Sequence, residues 1–89
     1  MITAIVFVQV DNDRIPEVAE QIAGLDHISE VYSVTGDIDL IAMVRVGDYE
    51  EISQVITDKL TRIPGVLSTD THLAFRAYSE HDLEATFSL

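Results

Sequence analysis

The chain of 89 residues shows two periods of apolar and polar residues, and their order predicts six elements. The first segment, Ile2–Val10, is apolar on both faces of an extended chain, which is typical of a β-strand covered on both sides. Apolar positions then recur every three to four residues, at Ile15, Val18, Ala19 and Ile22. This period predicts a helix that begins at Asn12 or Asp13 and ends at Gly24.

Two further strands are predicted between residues 27 and 46, on either side of Gly36 and Asp37. A glycine in the first central position of a two-residue connection predicts a type II′ β-hairpin. The second of these strands, IDLIAMVRV, again carries apolar residues on both faces. It therefore resembles the first strand in needing cover on both sides.

A second helix is predicted from Asp48, because Asp48 and Glu51 have the spacing of a capping box. Its apolar stripe consists of Ile52, Val55, Ile56, Leu60 and Ile63. Pro64 and Gly65 end it. Residues 66–77 then predict a last strand, and residues 79–89 a short C-terminal helix capped by Ser79.

The order strand, helix, strand, strand, helix, strand predicts an α+β fold of the ferredoxin-like βαββαβ type. Such a fold has a four-stranded antiparallel sheet with both helices on one face, because the crossovers are right-handed. The chain has no linker and no low-complexity segment, so we expect one domain over residues 1–89. Its core covers about residues 2–77, and residues 78–89 form a tail.

Two helices can cover only one face of this sheet, while the first and third strands are apolar on both. The apolar residues left on the second face are Ile5, Phe7, Ile41 and Met43. An apolar patch of this kind marks an interface, and a domain this small gains stability from association. We expect a homodimer that packs sheet to sheet, or a larger closed assembly. The alternative is a twist or bulge that turns these residues toward the helices.

Sixteen acidic and five basic residues give a formal net charge of −11, and the basic residues are scattered. DNA, RNA and anionic membranes are poor partners for such a chain, because contacts to phosphate need cations. The chain has no cysteine, no basic leader before an apolar segment, and no apolar run long enough to span a membrane. We expect a cytoplasmic protein.

The sequence carries no recognisable catalytic or cofactor motif. His27, His72 and His81 lie in three different predicted elements, without a metal-ligand spacing between them. No serine elbow, phosphate-cradling loop or dinucleotide fingerprint is present. We therefore expect neither an enzyme nor a cofactor or metal site. A small dimeric α+β-barrel enzyme is the alternative of another class, since fold alone does not decide function.

Small polar residues near the predicted hairpin suit a zwitterionic ligand. Thr35, Ser68, Thr69 and Thr71 offer hydroxyl groups, and the turn at Gly36 exposes backbone N–H groups. These donors match a carboxylate, whereas Asp39 matches an ammonium. The same residues also allow an alternative without a ligand site, in which Gly36 and Asp37 only form a turn and the threonines are ordinary strand residues.

Two stretches, VYSVTGDIDLIAMVRV and RIPGVLSTDTHLAF, resemble the effector-binding (RAM) domain of the Lrp/AsnC (feast/famine) transcription regulators. The likeness spans about residues 2–77. It implies a ferredoxin-like domain that dimerises through its sheet and binds small ligands, usually amino acids, between dimers. It also implies a ligand site formed by Gly36, Asp37, Ile38, Asp39, Thr69 and Thr71. In this site Asp37 makes the turn, and Asp39 is available to a ligand or to a neighbouring subunit.

The sequence departs from the family pattern in two places. It begins at the first strand, so it resembles the stand-alone type of the domain, without the helix-turn-helix unit that usually precedes it. Ile38 stands where an aromatic residue is common. The resemblance thus implies a small-ligand sensor and oligomerisation module, which acts on transcription through its assembly or through full-length Lrp/AsnC partners. An ACT-like amino-acid-binding domain has the same strand order and is a further alternative.

We predict that the isolated protein does not bind duplex DNA, because five scattered cations cannot displace enough counterions from phosphate. A gel-shift titration at moderate salt checks this expectation. Retardation of the DNA by the protein alone would contradict it.

Overall fold

The computed structural model describes residues 1–78 and 80, which form one sheet and two helices. The strands are β1 (Ile2–Val10), β2 (Ile28–Ser33), β3 (Leu40–Val46) and β4 (Val66–Leu73), and the helices are α1 (Ile15–Ala23) and α2 (Tyr49–Asp58). Short 3₁₀ turns at Asn12–Arg14 and Leu60–Arg62 precede α1 and follow α2. The predicted C-terminal helix (79–89) lies outside the described residues, apart from residue 80.

The strands lie in the order β2-β3-β1-β4, and each neighbouring pair is antiparallel. The central pair, β1 and β3, runs in unbroken register from Ile2 opposite Val46 to Val8 opposite Leu40. The edge strands are β2 and β4. This arrangement confirms the predicted ferredoxin-like α+β fold.

The core lies between the two helices and one face of the sheet. Alternate residues of the central strands are buried there, namely Ala4, Val6, Val8 and Val10 of β1 and Leu40, Ala42, Val44 and Val46 of β3. The helices contribute Val18, Ile22, Ile52, Val55 and Ile56, and Leu60 and Ile63 follow α2. The apolar stripe predicted for the second helix is thus buried. Among the described residues, no polar or charged side chain is buried.

The start of α2 confirms the predicted capping box. The Glu51 backbone N–H donates to Asp48 Oδ1 at 3.1 Å, and Glu51 Oε1 accepts from the Asp48 N–H at 3.2 Å. The other carboxylate oxygen of Glu51 lies 3.2 Å from His27 Nε2. His27 has a left-handed backbone conformation, with φ of 73°. The contact between His27 and Glu51 connects the turn before β2 to the beginning of α2.

Two predictions of how the chain leaves a strand were wrong, and α2 and β4 end earlier than predicted, at Asp58 and Leu73. The carboxylate that caps the turn leading into α1 belongs to Asp11, which accepts from the Asp13 N–H at 3.4 Å, rather than to Asn12 or Asp13. The connection between β2 and β3 has six residues, 34–39, instead of a two-residue type II′ turn. Both errors concern how the chain leaves a strand, which depends on neighbouring segments.

No helix among the described residues is long and apolar enough to cross a membrane.

Gly65 lets the chain that enters β4 pass close to α1. Its φ is 101°, and an added Cβ would lie 2.8 Å from Val18 Cγ2. Its carbonyl accepts from the Asp11 N–H at 2.8 Å, so the segment cannot move away without losing this bond. Gly36 also has a positive φ, of 110°, but no atom lies within 4 Å of its would-be Cβ.

We predict that Gly65→Ala destabilises the fold more than Gly36→Ala. Both substitutions place a Cβ at positive φ, which costs about 1–2 kcal/mol, but only the first also drives a methyl group into Val18. Chemical denaturation measures both free energies of unfolding. Equal losses would show that the contact with Val18 relaxes freely.

Candidate functional site at the open face of the sheet

The sheet face opposite the helices is apolar at its centre, and we call it the open face. The register places Phe7 opposite Ile41 and Ile5 opposite Met43, so these four side chains share one face. All four are partly exposed, no described helix or strand packs over them, and residues 74–77 border Ile5 and Met43 at a depression. The strand pattern thus predicted this face correctly, and the alternative that a twist turns it toward the helices is wrong.

A cavity of about 440 Å³ lies at one end of the open face, where the 34–39 connection meets β1 and β4. Its lining residues are Phe7, Gln9, Asp37, Ile38, Ser68, Thr69 and Asp70. This volume falls in the range of sites for small ligands. Three of the six predicted site residues, Asp37, Ile38 and Thr69, line the cavity together.

Gln9 joins the three segments that form the cavity. Its side-chain amide Nε2 donates to the main-chain carbonyl of Asp37 at 3.0 Å. Its Oε1 accepts from the hydroxyl of Ser68 at 3.1 Å. The end of β1 therefore holds both the connection and the edge strand at defined distances.

The cavity wall carries two carboxylates, Asp37 and Asp70. Asp70 Oδ2 lies 3.1 Å from His72 Nε2. The His72 ring in turn meets Phe7 edge to face, with 5.0 Å between the ring centroids. An apolar aromatic wall and two acidic groups thus lie side by side.

Asp39 does not line the cavity, which corrects the expectation that it is available to a ligand. Its Oδ2 accepts from the Val10 backbone N–H at 2.8 Å. Its own backbone N–H donates to the Val8 carbonyl, and its carbonyl accepts from the Val34 N–H, both at 3.1 Å. Asp39 therefore ties the connection to β1, while Asp37 is the aspartate at the cavity.

The two threonines predicted at the site are separated. Thr71 lines a second, shallower cavity of about 350 Å³ between α2 and β4, on the helix side of the sheet. Thr69 lies opposite Val8, whose side chain is buried on the helix side, so the two threonines do share a face as predicted. Gly36 lines neither cavity.

Phe7, Gln9, Ser68 and Asp70 line the cavity but are not among the six predicted site residues. The sequence indicates Ser68 only as a hydroxyl group near the hairpin, and Phe7 only as part of the apolar face. The signal that could have found them is the alternation of strand residues, because Ser68 and Asp70 face the same side as Gln9 and Phe7.

The rest of the open face is polar at its rim. Tyr32 of β2 is half exposed, and its hydrogen bond with Glu30, together with the charge of that carboxylate, raises the pKa of the phenol above 10.0. Within residues 1–78 and 80, no group of three or more histidine or acidic side chains is placed to hold a metal ion.

The family comparison agrees with this architecture. The profile described as the Lrp/AsnC ligand binding domain matches residues 3–83. The chain belongs to this family. Its members are ligand-binding domains of transcription regulators rather than enzymes.

Individual relatives of this chain are also transcription regulators. The HTH-type transcriptional regulator PH1916 of Pyrococcus horikoshii is 40% identical over 81 residues, covering 88% of this chain and 54% of the relative. The chain thus spans about half the length of the curated relatives that it matches.

Several solved structures are also similar to this chain. The crystal structure of TTHA0845 from Thermus thermophilus has a TM-score of 0.85 at 46% identity, over 90% of this chain and 100% of that one. The regulator NMB0573 of Neisseria meningitidis, solved as a complex with L-Met, has a TM-score of 0.80 at 16% identity, over 89% of this chain and 53% of that one. At 16% identity, the likeness to the Neisseria regulator concerns the fold alone.

We predict that Asp39→Ala destabilises the protein by about 1–3 kcal/mol, because it leaves the partly buried Val10 N–H without its acceptor. Asp39→Asn is the matched control, since the amide oxygen can still accept this bond. Urea denaturation of both variants checks the difference. Equal stability of Asp39→Ala and wild type would show that the bond does not hold the connection.

Proposed function

We propose that this domain senses a small ligand at the cavity formed by the 34–39 connection, β1 and β4. The observation that carries the proposal is the cavity itself, which lies on the open face of a ligand-binding domain and is lined by residues from three segments. Binding there changes how copies of the chain assemble. The effect on transcription then passes through that assembly or through full-length Lrp/AsnC partners.

The ligand that we propose belongs to the amino-acid class, or carries a similar ammonium group. Asp37 and Asp70 offer carboxylates to an ammonium, and Phe7 and Ile38 offer apolar contacts to a side chain. The L-Met complex of the Neisseria regulator supports a ligand of this size within the fold. A catalytic role has no support at the cavity, because the Ser68 hydroxyl donates to the Gln9 amide oxygen rather than to a base.

The assembly that we propose uses the open face. Ile5, Phe7, Ile41 and Met43 form a continuous apolar surface on neighbouring strands, and a second copy would remove it from water. Because the cavity lies at the end of this same surface, a ligand in it adjoins the subunit contact. A ligand can therefore change the free energy of association.

A titration series tests ligand sensing directly. The twenty amino acids are screened by isothermal titration calorimetry, and light scattering measures the mass of the protein with and without each ligand that binds. We expect at least one ligand to bind with 1:1 stoichiometry and to shift the mass distribution. Binding that leaves the assembly unchanged at every concentration would contradict the coupling.

We predict that Met43→Lys weakens self-association at least about tenfold, because it places a charged side chain in the apolar contact, where association must remove it from water. Gln54→Lys is the matched control, since it adds the same charge at an exposed position of α2. Analytical ultracentrifugation measures both dissociation constants. A wild-type chain that is monomeric, or a Met43→Lys variant that keeps its assembly, would exclude the open face as the contact.

A further inference from the structure

The charged residues that line the cavity are both acidic. Asp37 and Asp70 present carboxylate oxygens, which only accept when ionised. The hydroxyl proton of Ser68 is already donated to Gln9. Gln9 keeps the second N–H of its amide as a donor, since the first is donated to the Asp37 carbonyl.

No cation balances these carboxylates at the cavity. The five basic residues of the chain all fall within the described residues, and none of them lines it. Arg45 and Arg76 lie instead at a separate depression beside Met1, Thr3 and Ile5. The neighbouring group that can carry positive charge is His72, whose imidazole contacts one oxygen of Asp70.

A ligand carboxylate fits this wall poorly. It meets two like charges in a chain whose formal net charge is −11, and no basic side chain lines the cavity to offset them. An ammonium fits well, because it has three N–H donors and no acceptor. Phe7 adds an aromatic wall, which attracts organic cations through its π-face.

We propose that the cavity selects organic amines without a carboxylate, such as aliphatic diamines, over the corresponding amino acids. This inference rests on the proposed function and names the ligand class of the same site. The described residues bring together no metal-ligand group, so the cation that the cavity suits is an organic one. Its ammonium lies between Asp37 and Asp70, and its aliphatic body lies along Phe7 and Ile38.

The test compares cadaverine with lysine, because the two probes differ by one carboxylate. Isothermal titration calorimetry at neutral pH and physiological salt measures both affinities for the wild-type chain. We expect cadaverine to bind at least about tenfold more tightly than lysine, the effect of removing one unfavourable carboxylate contact. In a ¹⁵N-labelled sample, cadaverine should shift the side-chain amide resonances of Gln9.

Two variants separate local recognition from the general attraction of an acidic protein for cations. Asp37→Asn removes one carboxylate from the cavity and should weaken cadaverine binding about tenfold. Asp58→Asn removes the same charge at the end of α2, on the other side of the sheet, and should leave the affinity within about twofold, because exposed distant charges are screened.

The outcomes distinguish the two proposals. If lysine or another amino acid binds at the cavity as tightly as cadaverine, the selection for amines is wrong and ligand sensing stands. If Asp58→Asn weakens cadaverine as much as Asp37→Asn does, the binding is nonspecific attraction and the inference is overturned. If neither amines nor amino acids bind, both proposals fail.

Discussion

The antiparallel pairing of β1 with β3 is the constraint on which the rest of the structure depends. Seven successive residue pairs, from Ile2 opposite Val46 to Val8 opposite Leu40, hold the centre of the sheet in one register. Because side chains alternate, this register sends one apolar set to the helices and the other to the open face. A slip of one residue would exchange the two sets and leave the core without its packing.

The candidate site follows from how the chain leaves this central pair. The β2–β3 connection is longer than a minimal turn, and a long connection needs tertiary bonds to hold one conformation. Asp39 supplies them from its side chain and both of its backbone groups. With the connection tied to β1 in this way, Asp37 and Ile38 reach the cavity, and Gln9 spans from them to β4.

The sequence predicted the features that depend on local chemistry or on alternation. The capping box of Asp48 and Glu51, the buried stripe of α2 and the two-sided strands are of this kind. It did not predict the roles of Asp37 and Asp39, because the two carboxylates look alike in the sequence and differ only in what lies opposite them. The acceptor of the Val10 N–H is 29 residues away, and no local pattern indicates such a partner.

The bonds that Gln9 makes at the cavity connect residues 28 and 59 positions apart in the chain. Such a site has no counterpart in a partly folded chain, since closing these loops requires the whole sheet. An unfolded chain therefore lacks the proposed site, and a ligand bound there would stabilise the fold by an amount that grows with the ratio of its free concentration to its Kd. Under the proposed function, occupancy of the cavity and resistance to unfolding would be linked equilibria.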